Sequence, residues 1–107
     1  MTGADTTSGP VRLHVALQEG FSGDRVEVTI GGSPIELAEL NTRNQIGLAD
    51  EIEVDVRVGS VEVRVAVLNR SLDSTSGFVV RSETWLGVNL ISGALEFTWS
   101  EEPFFYA

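Results

Sequence analysis

The chain has 107 residues, 42% of them hydrophobic, with no cysteine and a formal net charge of −9. That length suits one domain whose core is large enough to fold without metal or disulfide staples, and the lack of cysteine excludes disulfides, thiolate zinc centres and cysteine nucleophiles. Sixteen acids against seven bases disfavour nucleic acid and anionic membrane as partners, because phosphate is bound by clustered Lys and Arg and no such cluster occurs.

All seven bases are Arg. GC-rich codon usage and a salt-adapted acidic surface both account for that bias, and composition does not separate them. Residues 1–10 are small and polar, with neither the basic nor the apolar segment of a secretory signal. They are expected to be a flexible N-terminal segment, and a cytoplasmic location follows by default. No apolar run approaches the roughly 20 residues that span a bilayer. The folded domain is expected over residues 11–100 and an acidic, aromatic tail over 101–107.

Along the chain the dominant signal is period two. Val11, Leu13, Val15 and Leu17 alternate with Arg12, His14, Ala16 and Gln18, the pattern of a half-buried strand. After the turn-rich Glu19–Asp24, a second alternating run places Val26, Val28 and Ile30 on one face. Gly31-Gly32-Ser33-Pro34 ends it, and Ile35–Leu40 reads as a short third strand, with Pro34 suited to an edge or a strand entry. The next strands are expected to form a hairpin at Gly59-Ser60, with Val58 facing Val61, Val56 facing Val63, and Arg57–Glu62 and Asp55–Arg64 as opposite-charge pairs. Asn69–Gly77 reads as a polar loop and Phe78–Ser82 as a short strand. A further hairpin at Ser92-Gly93 sets Leu90 against Leu95, Val88 against Phe97 and Leu86 against Trp99. Seven to eight short strands with turn signals about every 8–12 residues predict an all-β, antiparallel two-sheet β-sandwich.

The run Val26-Glu27-Val28-Thr29-Ile30-Gly31-Gly32, then Ile46-Gly47-Leu48-Ala49-Asp50, then Val54–Gly59 and Val61–Val67, resembles prealbumin-like modules. These include the transthyretin-like, carboxypeptidase regulatory-like and PEGA-type domains. The resemblance spans residues 11–68. It implies a non-catalytic accessory that binds or assembles, and it assigns no site residues and no cofactor.

His14, the one histidine, falls on the polar side of the first strand and is expected to be an ordinary surface residue. Glu51, Glu53 and Asp55, with Asp50 beside them, share one strand face. Carboxylates about 7 Å apart along a strand are too open for a tight calcium site, so a solvated acidic face is expected, with a weak cation site as the alternative. A small hydrolase using His14 or paired acids would need a cleft that so short a chain is not expected to build. Asn69-Arg70-Ser71 matches the glycosylation pattern, a frequent chance match.

Two features point to binding. Trp85 is expected opposite Ser100 on the solvent face, near Asn89, where it either stacks a sugar ring or is covered by the 69–77 loop or the tail. The adjacent aromatics Phe104, Phe105 and Tyr106 follow Pro103, which ends the last strand. They either close the sandwich or insert into a second copy or a protein partner. The reading that follows is a non-catalytic interaction or assembly module, self-associating through sheet edges and the aromatic tail. A carbohydrate-binding module is the first alternative.

Overall fold

Alternating apolar residues need a second apolar layer to cover them, and the structure, a computed structural model, supplies it with two packed sheets. Residues 9–43 and 46–104 are described. Eight strands run in chain order: β1 (Pro10–Leu17), β2 (Asp24–Ile30), β3 (Ser33–Leu40), β4 (Asp50–Arg57), β5 (Gly59–Val67), β6 (Leu72–Val80), β7 (Thr84–Ile91) and β8 (Ala94–Ser100). They form sheets of order β4-β1-β7-β8 and β3-β2-β5-β6. A 3₁₀ turn, Leu68–Arg70, precedes β6, and there is no α-helix among the described residues. The expected two-sheet β-sandwich is therefore the fold. Every strand pairing is antiparallel except β1 with β7. Of the N-terminal segment, Met1–Ser8 lie outside the described residues, and β1 already begins at Pro10.

The core lies between the sheets. Leu13, Val15, Leu17, Leu86 and Val88 from one sheet meet Val26, Val28, Val63, Val65 and Val67 from the other, all fully buried. At one side of the sandwich, Phe78 of β6 stacks on Trp99 of β8, with ring centroids 4.9 Å apart. The Trp99 indole N–H donates to Ser76 Oγ at 2.9 Å.

The Ser92-Gly93 hairpin has the expected register, with Leu90 opposite Leu95, Val88 opposite Phe97 and Leu86 opposite Trp99. Both turn residues have positive φ, 52° and 78°, as a type I′ turn requires.

The expected Gly59-Ser60 hairpin does not form. At this point the chain leaves one sheet and enters the other: β4 pairs with β1, while β5 pairs with β2 and β6. Val54, Val56, Val61 and Val63 still belong to one cluster, but they meet across the core instead of along a ladder. The postulated Arg57–Glu62 and Asp55–Arg64 pairs are replaced by Asp55 with Arg12 and Arg64 with Asp73. Cross-strand charge pairs are worth a few tenths of a kcal/mol to about one, whereas each aliphatic side chain buried between sheets contributes about 1.5–3 kcal/mol. The core decides the pairing.

The expected loop at 69–77 is also corrected. Residues 72–77 belong to β6, paired with β5 from Leu72↔Val67 to Val80↔Gly59. Its inward positions include Ser74 and Ser76, so apolar alternation is missing although the strand is not.

The turn into β6 is held by a buried carboxylate. Asp24, fully buried at the start of β2, accepts from Arg70 Nε and Nη2 at 2.8 and 3.0 Å, from Asn69 Nδ2 at 2.8 Å and from the Ser22 N–H at 2.8 Å. Burial pushes this carboxyl up, but the hydrogen bonds from Arg70, Ser22 and Asn69 outweigh it and hold Asp24 below its ordinary value. The same contacts occupy the Asn69 side chain, the acceptor position of the glycosylation pattern.

Two outcomes are expected. Because the folded carboxyl is depressed, Asp24 stabilises the fold fully above its unfolded pKa of about 3.9, and that contribution disappears as pH falls further. Arg70→Ala should cost about 1–3 kcal/mol at neutral pH, the range for stranding a buried polar group, and should flatten the acid limb of a melting-temperature profile. Gly20 has φ +93°, and a Cβ there would lie 1.8 Å from the Leu90 carbonyl oxygen. Gly20→Ala should therefore lose well over about 1 kcal/mol, measured as a lower urea midpoint at unchanged slope.

Candidate functional site

The outer face of the β4-β1-β7-β8 sheet carries the unusual side chains, and strand register puts them in a row. His14 of β1 lies opposite Glu53 of β4 on one side and Trp85 of β7 on the other, and Trp85 lies opposite Ser100 of β8. The next row is Glu51, Ala16, Gly87 and Thr98. Period two along each strand brings these residues to one face, and the parallel β1–β7 pairing joins the His to the Trp.

His14 is not at the open surface: it is 9% exposed. Its imidazole stacks flat on the Trp85 indole, with ring centroids 4.8 Å apart and planes 3° apart. Glu83, just before β7, reaches back over the same face and sits 2.6 Å from His14 Nε2. The other ring nitrogen, Nδ1, is 3.4 Å from Glu53 Oε2. The imidazole is thus flanked by two carboxylates on its edge and by an indole on its face.

Glu53 is fixed from the far side. Arg12 Nη1 donates to Glu53 Oε1 at 2.8 Å and Arg12 Nε donates to Asp55 Oδ1 at 3.2 Å. Hydrogen bonds to Asp55 and then Glu53 push the guanidinium above its ordinary value, so it stays charged. Glu51, Glu53 and Asp55 are exposed on the outer face of β4, and Asp50 at its start accepts from the Glu51 N–H at 2.8 Å. Ligand atoms of His14, Glu51 and Glu53 all lie within 4.8 Å of one another.

Trp85 lies opposite Ser100 as expected, half-buried, with one indole face taken by His14. Asn89 is committed at both ends of its amide: Oδ1 accepts from the Glu19 N–H at 2.9 Å and Nδ2 donates to Gln18 Oε1 at 3.0 Å. A sugar ring on Trp85 would have to use the opposite indole face without help from Asn89. Among the described residues no hydroxyl hydrogen-bonds to His14, so the His–Glu83 pair has no Ser or Thr nucleophile beside it. In the tail, Phe104 is half-buried, while Phe105 and Tyr106 lie outside the described residues.

The four sheet edges differ in charge. Edge strand β4 carries Asp50, Glu51, Glu53 and Asp55. Edge β3 carries Pro34, Glu36 and Glu39, and edge β8 carries Glu96 and is followed by Glu101 and Glu102. Edge β6 has neither charge nor proline from Ser74 to Val80, and Val79 is 54% exposed on its outer side. Between edges β3 and β4 a cleft of about 550 Å³ opens on Ile35, Val54, Val56 and Val61, with Asp55 and Arg57 at its rim.

Sequence reasoning missed Glu83 and Arg12 as partners of the His14 group. Glu83 is 69 positions from His14 and Arg12 is 41 from Glu53, so no local spacing connects them.

No family model matches the chain, and no curated protein matches it. Among solved structures it is similar to the crystal structure of a "putative cell adhesion protein" from Bacteroides ovatus, with a TM-score of 0.51 and 9% identity over 87% of this chain and 44% of that one. The chain thus spans less than half the length of that protein, and the likeness is one of fold: a two-sheet, all-β architecture. No helix among the described residues is long and apolar enough to cross a membrane.

Because Trp85 covers the imidazole while being only half-buried itself, Trp85→Ala should destabilise by about 1–3 kcal/mol, below the ~3–5 kcal/mol of a fully buried aromatic. The urea midpoint measures it; no change would mean that the stack contributes nothing to the fold.

Proposed function

We propose that the domain is a non-catalytic interaction module that self-associates by pairing the exposed edge of β6 with the same edge of a second copy. The observation that carries this reading is the charge pattern of the edges. A chain of net charge −9 repels its copies at most of its surface, and acids or proline at β3, β4 and β8 discourage strand addition there. β6 lacks both. An antiparallel pairing centred on Gly77 sets Thr75 of one copy opposite Val79 of the other. It also sets Asp73 opposite Arg81, twice by symmetry. Opposite charges in cross-strand pairs are favourable, and a two-fold, isologous contact of this kind closes without leading to fibres.

The aromatic tail, Phe104, Phe105 and Tyr106, is the second element of this reading, since aromatic side chains at an interface add apolar area to such a contact. A prealbumin-like classification agrees with it: an eight-stranded, two-sheet module used for binding. So does the similarity to a structure named for cell adhesion.

Light scattering on the full chain is expected to give a dimer mass that falls to a monomer in Thr75→Lys, with unchanged circular dichroism. Truncation after Ser100 should weaken the dimer without abolishing it. A full-length monomer at ~100 μM, or a dimer indifferent to Thr75→Lys, would remove β6 as the contact.

A further inference from the structure

We propose that His14, Glu53 and Glu51 form a binding site for a divalent transition-metal ion of the zinc type, with water completing the coordination. It stands apart from the edge pairing described above. The two nitrogens of His14 face different carboxylates. Nε2 lies 2.6 Å from Glu83 Oε2, a distance at which Nε2 carries the proton and donates it. The other nitrogen, Nδ1, faces Glu53 Oε2 at 3.4 Å, and an imidazole that donates through one nitrogen binds a metal through the other.

The separation distinguishes a proton from a metal. A charge-assisted N–H···O⁻ bond closes to about 2.7–2.9 Å. Two ligands of a tetrahedral ion, each about 2.1 Å from the metal, lie about 3.4 Å apart. The His14–Glu53 spacing matches the second case. Glu51, the next residue on the same face of β4, brings a third ligand atom within 4.8 Å of the other two. It is exposed, and among the described residues its carboxylate makes no ion pair, so its side chain can close that distance.

The surroundings are those of a built metal site. The Glu83–His14 contact has the form of the carboxylate–histidine pair that orients metal-ligating imidazoles. Arg12 holds Glu53 Oε1 at 2.8 Å, leaving Oε2 directed at Nδ1. Trp85 locks the ring plane from the other face. An imidazole nitrogen with two carboxylate oxygens suits zinc and its neighbours, whereas calcium requires six to eight oxygens.

The test is titration calorimetry of the full chain with Zn²⁺, paired with long-range ¹H–¹⁵N spectra of the one imidazole. One ion per chain is expected, with the Nδ1 resonance shifted and Nε2 retaining its proton. Glu53→Gln should weaken binding at least about tenfold, and Glu83→Gln, which touches no metal, by about 10–100-fold. Glu36→Gln, on the other sheet, should leave affinity unchanged, and circular dichroism checks that each variant is folded. Zn²⁺ that leaves both imidazole nitrogens unmoved, binds through Nε2, or binds folded Glu53→Gln as tightly as the wild type would overturn the proposal.

Discussion

The placement of β1 between β4 and β7 is the constraint on which the rest of the molecule depends. Leu13, Val15 and Leu17 are fully buried in the core, and on the opposite side of the same strand Ala16 is fully buried and His14 nearly so. A strand of a sandwich ordinarily keeps one side in water; the second half of β1 has neither side there. Its outer cover comes from the long side chains of its neighbours: Trp85 over His14, Gln18 over Gly87, and Glu53, Glu83 and Arg12 around the imidazole. This cover is polar because it faces solvent, and it is ordered because β1 fixes the spacing of both flanking strands. The outer face of this sheet is therefore a fixed array of ionisable groups, where exposed side chains on a lone hairpin would move independently.

How much of this was legible in the sequence follows from how far apart the interacting residues lie. The Ser92-Gly93 hairpin could be read to the register because turn chemistry and pairing partners are adjacent in the chain. Val54–Val56 and Val61–Val65 carry an equally clean alternation, yet that pattern records only that one face is buried. It does not say whether the covering residues lie along the same ladder or across the core, and here they lie across it. β6 was hidden for a different reason. Its inward Ser74 and Ser76 sit where an apolar residue would announce a strand, and Trp99, 23 positions away, supplies the partner for Ser76. His14 was placed on the correct face of β1, but a strand face is not the same as the solvent. What covers it comes from β7 and from Glu83, and only the parallel pairing of β1 with β7 brings those residues near.

Charge is distributed so that the edges are unequal. Edge β4 is covered with carboxylates, two of which share Arg12, and edge β3 combines Pro34 with Glu36 and Glu39. Such features are how sheet proteins prevent edge-to-edge association. Their absence from Ser74 to Val80 of β6 is not due to burial, since Thr75, Gly77 and Val79 are exposed. Selective protection of three edges is the basis for the proposed pairing at the fourth, where no residue stands out in a sequence scan.

The two surfaces are also separated by the topology. β4, with Glu51 and Glu53, ends the first sheet on the side away from β8. β6 packs against β8 across the sandwich, through the Phe78–Trp99 stack. The acidic β4 edge and the β6 edge therefore lie at opposite ends of the strand orders, β4 ending one sheet and β6 the other beside β8. An ion at His14 would neutralise part of the acidic β4 side without contacting a second copy docked on β6. Its effect on association could then come only through net charge, which is screened beyond about 8–10 Å in physiological salt. The proposed ion site at β4 and the proposed strand pairing at β6 are in this sense separable on one small scaffold.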